Sequence, residues 1–397
     1  MIEAMSNTTW VFHVFLAVVL TAVVPRCKAT CSFPAIFNFG DSNTDTGGFF
    51  AAFPSLVPPY GMTYFKKPVG RATDGRVIVD FLAQGLGLPF LSPYLKSIGS
   101  DYRHGANFAT VSSTVMPPHS SLFDSRVSPF SLAIQFNQFK QFKVMVDEEE
   151  EEHHSYDHDY VCVLGNTNLP PKNIFGKALY TFYIGQNDFT LNLTSLGISG
   201  VMQFLPQVVA QIAKTIKDIY ALGGRTFFIL NLAPVGCYPG LLVKLPHNAS
   251  DVDQFGCLKS YNNAVVDYNN MLKDALRQTR KNLKDANLVY VDTHSILLDL
   301  FQHPTSHGLK FGTKACCGYG GGDYNFNKEV VCGSTKFVNG KKVNAEACKD
   351  PYNYVSWDGF HLTDAANKLT AHAIFNGSLF DPPFSLHHQF CHIHLIG

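Results

Sequence analysis

The chain has 397 residues, enough for one large domain or two medium ones, and 46% of them are hydrophobic, ample for a sizeable core. Lys plus Arg equals Asp plus Glu at 31 each, so no net field selects nucleic acid or an anionic membrane. Aromatic content is 13%, with 33 Phe, which suits a packed interior or an apolar pocket without deciding between them.

Trp10 to Val24 is a mostly apolar run, too short for a confident membrane span. With Cys27-Lys28-Ala29 behind it, it reads as a secretory signal over residues 1–29 and a mature start near Thr30. Glu3 precedes the run while Arg26 and Lys28 follow it, a charge order that keeps a retained anchor as the alternative. Ten Cys suit an oxidising compartment, and nine remain once Cys27 leaves with the signal.

Ala35 to Phe39 is a short apolar run that predicts a buried strand. It stops at Gly40-Asp41-Ser42, followed by the N-cap candidates Asn43-Thr44-Asp45-Thr46 and by Gly47-Gly48. A strand that ends at Gly and hands a Ser to the next turn puts that Ser at the carboxyl edge of an α/β sheet, where open sheets bind ligands. The plainer reading is a turn in which Asp41 and Ser42 only cap.

Further along, Val77 to Leu88 predicts a helix, His104 to Thr110 a second strand and Ser131 to Val146 a helix. Asp147 to His154, DEEEEEHH, is a run of charge that predicts a solvated loop, and a metal site through Asp157, His158 and Asp159 is its alternative. Ala178 to Ile184 predicts a strand ending at Gly185. Val201, Leu205, Val208, Ile212, Ile216 and Ile219 recur at helical spacing up to Gly223-Gly224. Thr226 to Leu232 predicts a strand, Leu258 to Leu283 a helix, Leu288 to Val291 the last strand, and Thr363 to Phe375 a closing helix capped by Thr363. This alternation predicts one α/β domain over residues 30–380, with a mostly parallel sheet of five strands covered on both faces. Residues 381–397 read as a tail whose His387, His388, His392 and His394 are a loose end rather than a ligand set.

Three other places offer chemistry. In Gly185-Gln186-Asn187-Asp188, at a strand end, the Asn amide can donate to an oxyanion, or it merely turns the chain. In Trp357-Asp358-Gly359-Phe360-His361, an Asp three residues before a His can reach the imidazole, accept its Nδ1 proton and steady the imidazolium. Asp358-Gly359 is also a common turn. Gly105 to Thr110 closes the second strand, where Asn107 alternatively stabilises a loop. Cys316, Cys317, Cys332 and Cys348 cluster among Gly residues without a CxxC pair, which favours disulfides over zinc. Cys237 and Cys257 bracket a loop with Pro239, Pro246 and a sequon, and a disulfide between them is expected. Asn192, Asn248 and Asn376 head glycosylation sequons.

The blocks GDSNTDTGG (Gly40 to Gly48), HGANFAT (His104 to Thr110), GQND (Gly185 to Asp188) and WDGFH (Trp357 to His361) together resemble the plant-type GDSL esterase/lipase group of the SGNH hydrolases, especially its early-nodulin-like and fucosidase-named members. LGGRTFFILNLAPVGC (Leu222 to Cys237) and CCGYGG (Cys316 to Gly321) extend the resemblance over roughly the whole mature chain. It implies a three-layer α/β/α, flavodoxin-like SGNH fold. It further implies Ser42 as nucleophile, His361 as general base and Asp358 as orienting acid. Oxyanion donors would be the backbone N–H of Ser42 and the side chain of Asn187, with a backbone N–H from the second block. There the chain departs from the pattern: Ala106 to Ser113 reads ANFATVSS, with Ser112 where Gly is expected. Asn43 likewise replaces the Leu of the name-giving tetrad, and the acidic run near Glu150 looks like an altered loop.

The expected activity is that of a secreted serine ester hydrolase with no metal and no cofactor, in the cell wall or apoplast. Its substrate would be a small-molecule, lipid or glycan ester, with neither nucleic acid nor stable membrane insertion involved. The alternatives are an acyltransferase using the same acyl-enzyme, or a catalytically weak member that binds glycan or lipid. A glycosidase would need two facing carboxylates, and the sequence assigns no such pair.

Overall fold

The computed structural model describes residues 33–118, 127–155 and 168–384; the leader, residues 157–159 and the tail histidines lie outside the described residues. The first strand, β1 (Ile36–Gly40), is buried along its whole length, as a central parallel strand must be. Its side chains alternate between two cores, with Phe37 and Phe39 on one face and Ile36 on the other. Strands β2 (Gly105–Asn107) and β3 (Leu179–Tyr183) flank it in parallel. Strands β4 (Thr226–Leu230) and β5 (Asn287–Val291) continue the sheet beyond β3. These are the five expected strands, and they are parallel throughout. A sixth, two-residue strand, Phe380–Asp381, adds antiparallel to β5. Asp381, expected to open the tail, is held there by Lys273 at 2.9 Å and Arg277 at 3.1 Å.

Among the described residues, six longer helices cover the sheet. On the Phe37 face lie α2 (Leu132–Ser155), α3 (Leu193–Ala221) and α4 (Lys259–Arg280). On the Ile36 face lie α1 (Ile78–Gly85) and α6 (Asp364–Phe375). Between β5 and the later loops, α5 (Thr293–Gln302) is capped by Asp292, whose side chain accepts from Ser295 N. The aromatic excess goes largely to the interior. Phe37 stacks on Phe175 and meets Phe139 and Phe142 edge-on, and Phe39 stacks between Phe108 and Phe182.

Two expectations are corrected. The acidic run is not a loop, because α2 runs through it to Ser155. Glu is a good helix former, and the Lys143–Asp147 pair at 2.9 Å spans one turn where the run begins. The helix expected from Val201 starts at Leu193, interrupted by Gly197 with φ of 64°, so its first segment carries no continuous apolar stripe. Among the described residues α3 alone is long and apolar enough to cross a membrane, and its stripe from Val201 to Ile219 is packed in the core.

Beyond α5, β6 (Phe311–Ala315) and β7 (Tyr354–Ser356) pair in parallel outside the main sheet. The segment between them is stapled by Cys316–Cys348 and Cys317–Cys332, so the Cys cluster is a pair of disulfides. Cys237–Cys257 is also formed, as expected.

Candidate active site

The sheet order is Phe380–Asp381, β5, β4, β3, β1, β2, so the chain leaves β1 toward β2 on one side and returns to β3 on the other. That reversal opens a crevice at the carboxyl ends of β1 and β3. Ser42 follows β1 there and Asn187 follows β3.

The turn after β1 has little room for a side chain: a Cβ on Gly40 would collide with Thr44 Oγ1 and stand 2.9 Å from the backbone carbonyl of Tyr183. Gln135 of α2 clamps that glycine, accepting from Gly40 N at 3.0 Å and donating to Gly40 O at 2.8 Å. Asn107 donates to Thr44 O at 2.7 Å and to Thr46 Oγ1 at 2.9 Å, fastening the second block to the same loop. The loop-stabilising role considered for Asn107 is therefore the observed one. Asp45 accepts from Gly47 N, Gly48 N, Phe49 N and, from the segment after β2, Val111 N at 2.9 Å.

His361 reaches Ser42 from the far end of the chain. Its Nε2 lies 2.9 Å from Ser42 Oγ, and its Nδ1 lies 2.7 Å from Asp358 Oδ2. Asp358 Oδ1 accepts from Phe360 N at 3.0 Å and His361 N at 2.9 Å, so the DGFH turn itself orients the carboxylate. Ser42 is 7% exposed and the His361 side chain 21%, leaving the imidazole edge open to the crevice. Burial works against the imidazolium, but the Asp358 charge and hydrogen bond, helped by Asp41, outweigh it and hold His361 above its ordinary value. Burial likewise works against the Asp358 carboxylate, and His361 with two backbone N–H groups more than reverses it, holding that carboxyl below the usual range.

Asn187 meets the second block beside Ser112. Asn187 Nδ2 donates to Ser113 O at 2.9 Å, using one of its two N–H donors. Ser112 holds φ at +61°, the left-handed region that the expected Gly favours, and its carbonyl accepts from Ser128 N. Next to Asn187, Asp188 accepts from Val115 N at 2.7 Å and Met116 N at 3.0 Å, and burial pushes its carboxyl up to about 7. A cavity of about 440 Å3 lies beside this corner, lined among others by Met116, Leu191, Leu196 and Phe204.

Sequence reasoning missed Gln135, the clamping role of Asp188, and Tyr60, whose hydroxyl donates to Asp358 Oδ2 at 3.0 Å. No motif surrounds Gln135 or Tyr60. Asp188 stood inside the GQND block, but its neighbour Asn187 carried the chemical signal.

Residues 36–374 match the family described as GDSL-like lipase/acylhydrolase. A GDSL esterase/lipase of Arabidopsis thaliana is 59% identical over 375 residues, covering 94% of this chain and 96% of that protein. An Arabidopsis protein named alpha-L-fucosidase 3 is 43% identical over 358 residues, covering 89% and 94%. The GDSL esterase/lipase ENOD8 of Medicago truncatula is 42% identical over 380 residues, covering 94% of each. The resemblance drawn from the four sequence blocks is borne out, and the chain belongs to the GDSL-like lipase/acylhydrolase family of carboxylic ester hydrolases.

Proposed function

We propose that the protein is a secreted serine ester hydrolase working through an acyl-enzyme. Ser42 Oγ attacks the ester carbonyl while His361 Nε2 takes its proton. Asp358 keeps the Nδ1–H tautomer facing it and steadies the imidazolium. Ser42 N–H, the Asn187 amide and Ser112 N–H hold the tetrahedral oxyanion. His361 then protonates the leaving alkoxide, and water, activated by the same imidazole, releases the acid.

The observation that carries this reading is the continuous chain from Ser42 Oγ to His361 at 2.9 Å and on to Asp358 at 2.7 Å. The cavity beside Asp188, walled by Met116, Leu191, Leu196 and Phe204 with Thr114, Asn192 and Gln207 among them, is the candidate site for the acyl part of the ester. A glycosidase assignment, suggested by one relative's name, would need a carboxylate free to attack a sugar. Asp358 is 8% exposed and both its oxygens accept hydrogen bonds, which suits an orienting role instead. Secretion is supported by three disulfides. Of the sequons at Asn192, Asn248 and Asn376, the latter two are exposed and suited to glycosylation. Asn192 is half-buried and its amide donates to Asp188 O at 3.3 Å, so it is the least open of the three.

The test is labelling by a fluorophosphonate together with Ser42→Ala. The parent should label at Ser42. The variant should keep its melting temperature and lose about four orders of magnitude or more in kcat on a nitrophenyl ester. A folded Ser42→Ala protein with undiminished turnover would sink the reading.

A further inference from the structure

Asp358 Oδ2 accepts two hydrogen bonds, from His361 Nδ1 at 2.7 Å and from Tyr60 Oη at 3.0 Å. The other donors to Asp358 come from its own turn, whereas Tyr60 lies 298 residues away in sequence. The phenol is 9% exposed, and its ring meets Trp357, the residue before Asp358, edge-on at 6.0 Å. Tyr60 and Trp357 belong to one buried cluster with Cys316, Cys317 and Cys332. Backbone bonds from Cys316 N to Ser356 O and from Cys317 N to Trp357 O tie that disulfide-bonded segment to the strand leading into Asp358. The phenol is therefore built into the wall behind the carboxylate.

We propose that Tyr60 is a positioning residue for ester hydrolysis. Its hydroxyl locks the Asp358 carboxylate in place and, by sharing the oxygen that faces His361, moderates the carboxylate's pull on the imidazolium. This rests on Ser42, His361 and Asp358 acting as the triad. Two donors on one oxygen compete for the same electron density, and the positive end of the phenol dipole disfavours a cation nearby. Burial and the Asp358 charge keep the phenol far above its ordinary pKa, so it remains a protonated donor. Other titratable groups face this corner, among them Asp45 and Asp188, which both interact with Asp41. Asp41 on the loop after β1 acts on His361, Tyr238 after β4 feels both Asp358 and Asp41, and Tyr183 at the end of β3 feels Asp41. A change confined to Tyr60 Oη leaves all of these in place.

Tyr60→Phe keeps the ring against Trp357 and removes only the donor. Its kcat/KM on p-nitrophenyl acetate should be followed across the acid and neutral range beside the parent. The acid limb reports the protonation of His361, since only neutral imidazole accepts the Ser42 proton. Without the phenol the imidazolium is better stabilised, so the limb should move to higher pH by about half a unit, and kcat should fall roughly fivefold to twentyfold with KM nearly constant. A fluorinated tyrosine at position 60 donates more strongly and should move the limb to lower pH. A limb unmoved in folded Tyr60→Phe, or moved the same way by both changes, overturns the proposal. If Tyr60→Phe does not fold, the fluorinated protein decides alone, and an unmoved limb there overturns it. Fluorophosphonate labelling separates the two ideas. A Ser42 that does not label removes the triad and this proposal together, whereas normal labelling with an unmoved limb removes Tyr60 alone.

Discussion

Ser112 is held in a conformation its side chain opposes. At φ +61° an L residue costs roughly 1–2 kcal/mol against Gly. The neighbours impose it: Asp45 takes Val111 N, Ser128 N donates to Ser112 O, and Asp188 takes Val115 N and Met116 N. The turn is fastened on both sides, so the strain is borne rather than relaxed. Ser112→Gly should therefore stabilise the protein by about 1 kcal/mol, read as a higher melting temperature. With the strain gone, φ can relax by the small amount the fastened turn allows, bringing the proposed N–H donor closer to its ideal alignment. At saturating short-chain ester, kcat should rise while KM scarcely changes. A variant both no more stable and no faster would mean that the left-handed turn costs the protein nothing.

Among the elements, the loop between β4 and α4 depends most visibly on a covalent staple. Cys237 and Cys257 are 20 residues apart and both fully buried, and Asn262 Nδ2 lies 3.4 Å from Cys237 Sγ. Closing a loop of about 20 residues removes about 3 kcal/mol of chain entropy from the unfolded state. Replacing both Cys by Ser should lower stability by about that amount, measured by denaturant midpoint against the parent. The loop also lies against the turn that carries Asp358 and His361, since Gly240 N donates to Gly359 O at 2.9 Å. Activity at moderate temperature should accordingly fall together with stability in the double variant. A midpoint equal to the parent's would refute the staple's role.

Across the whole molecule, buried carboxyl groups gather around the crevice. Burial pushes Asp41 and Asp74 from 3.8 up to about 6, and Asp188 up to about 7. Asp74 accepts from Asp364 N, and Arg76 grips Asp364 at 2.9 Å, so this group also anchors α6 just beyond His361. A carboxyl raised in the folded state binds its proton more tightly there than in the unfolded chain. Its contribution is complete below the unfolded value and is lost as pH rises through the folded value. His361, also raised, has the same sign. The lowered Asp358 has the opposite sign, with stability present above the unfolded value and lost as pH falls through its folded value. Between about pH 4 and 7 Asp358 already contributes fully and only the raised groups change, so the melting temperature should decline as pH climbs through that window. Thermal melts at fixed ionic strength check this, and a melting temperature that climbs steadily from pH 5 to about 7.5 would contradict it.

What the sequence determined by itself was whatever local pattern can carry. Apolar runs such as Ala35 to Phe39 and Ala178 to Ile184 were legible as strands because a buried parallel strand must be apolar on both faces. The stripe from Val201 to Ile219 was legible as a helix because its period survives without neighbours. Ser42, Asn187, Asp358 and His361 were singled out because each ends a strand or opens a turn. Their mutual geometry was not legible, since 319 residues separate His361 from Ser42 and only the folded sheet brings them to 2.9 Å. The acidic run misled because charge patterning describes solvation, whereas backbone propensity and one turn-spanning ion pair decided helix. Tyr60 and Gln135 carried no signal because a hydrogen bond over such a separation leaves no period, cap or spacing in the chain. The Ser112 conformation was open for the same reason: residues from three other segments dictate its sign of φ, and that is a tertiary constraint.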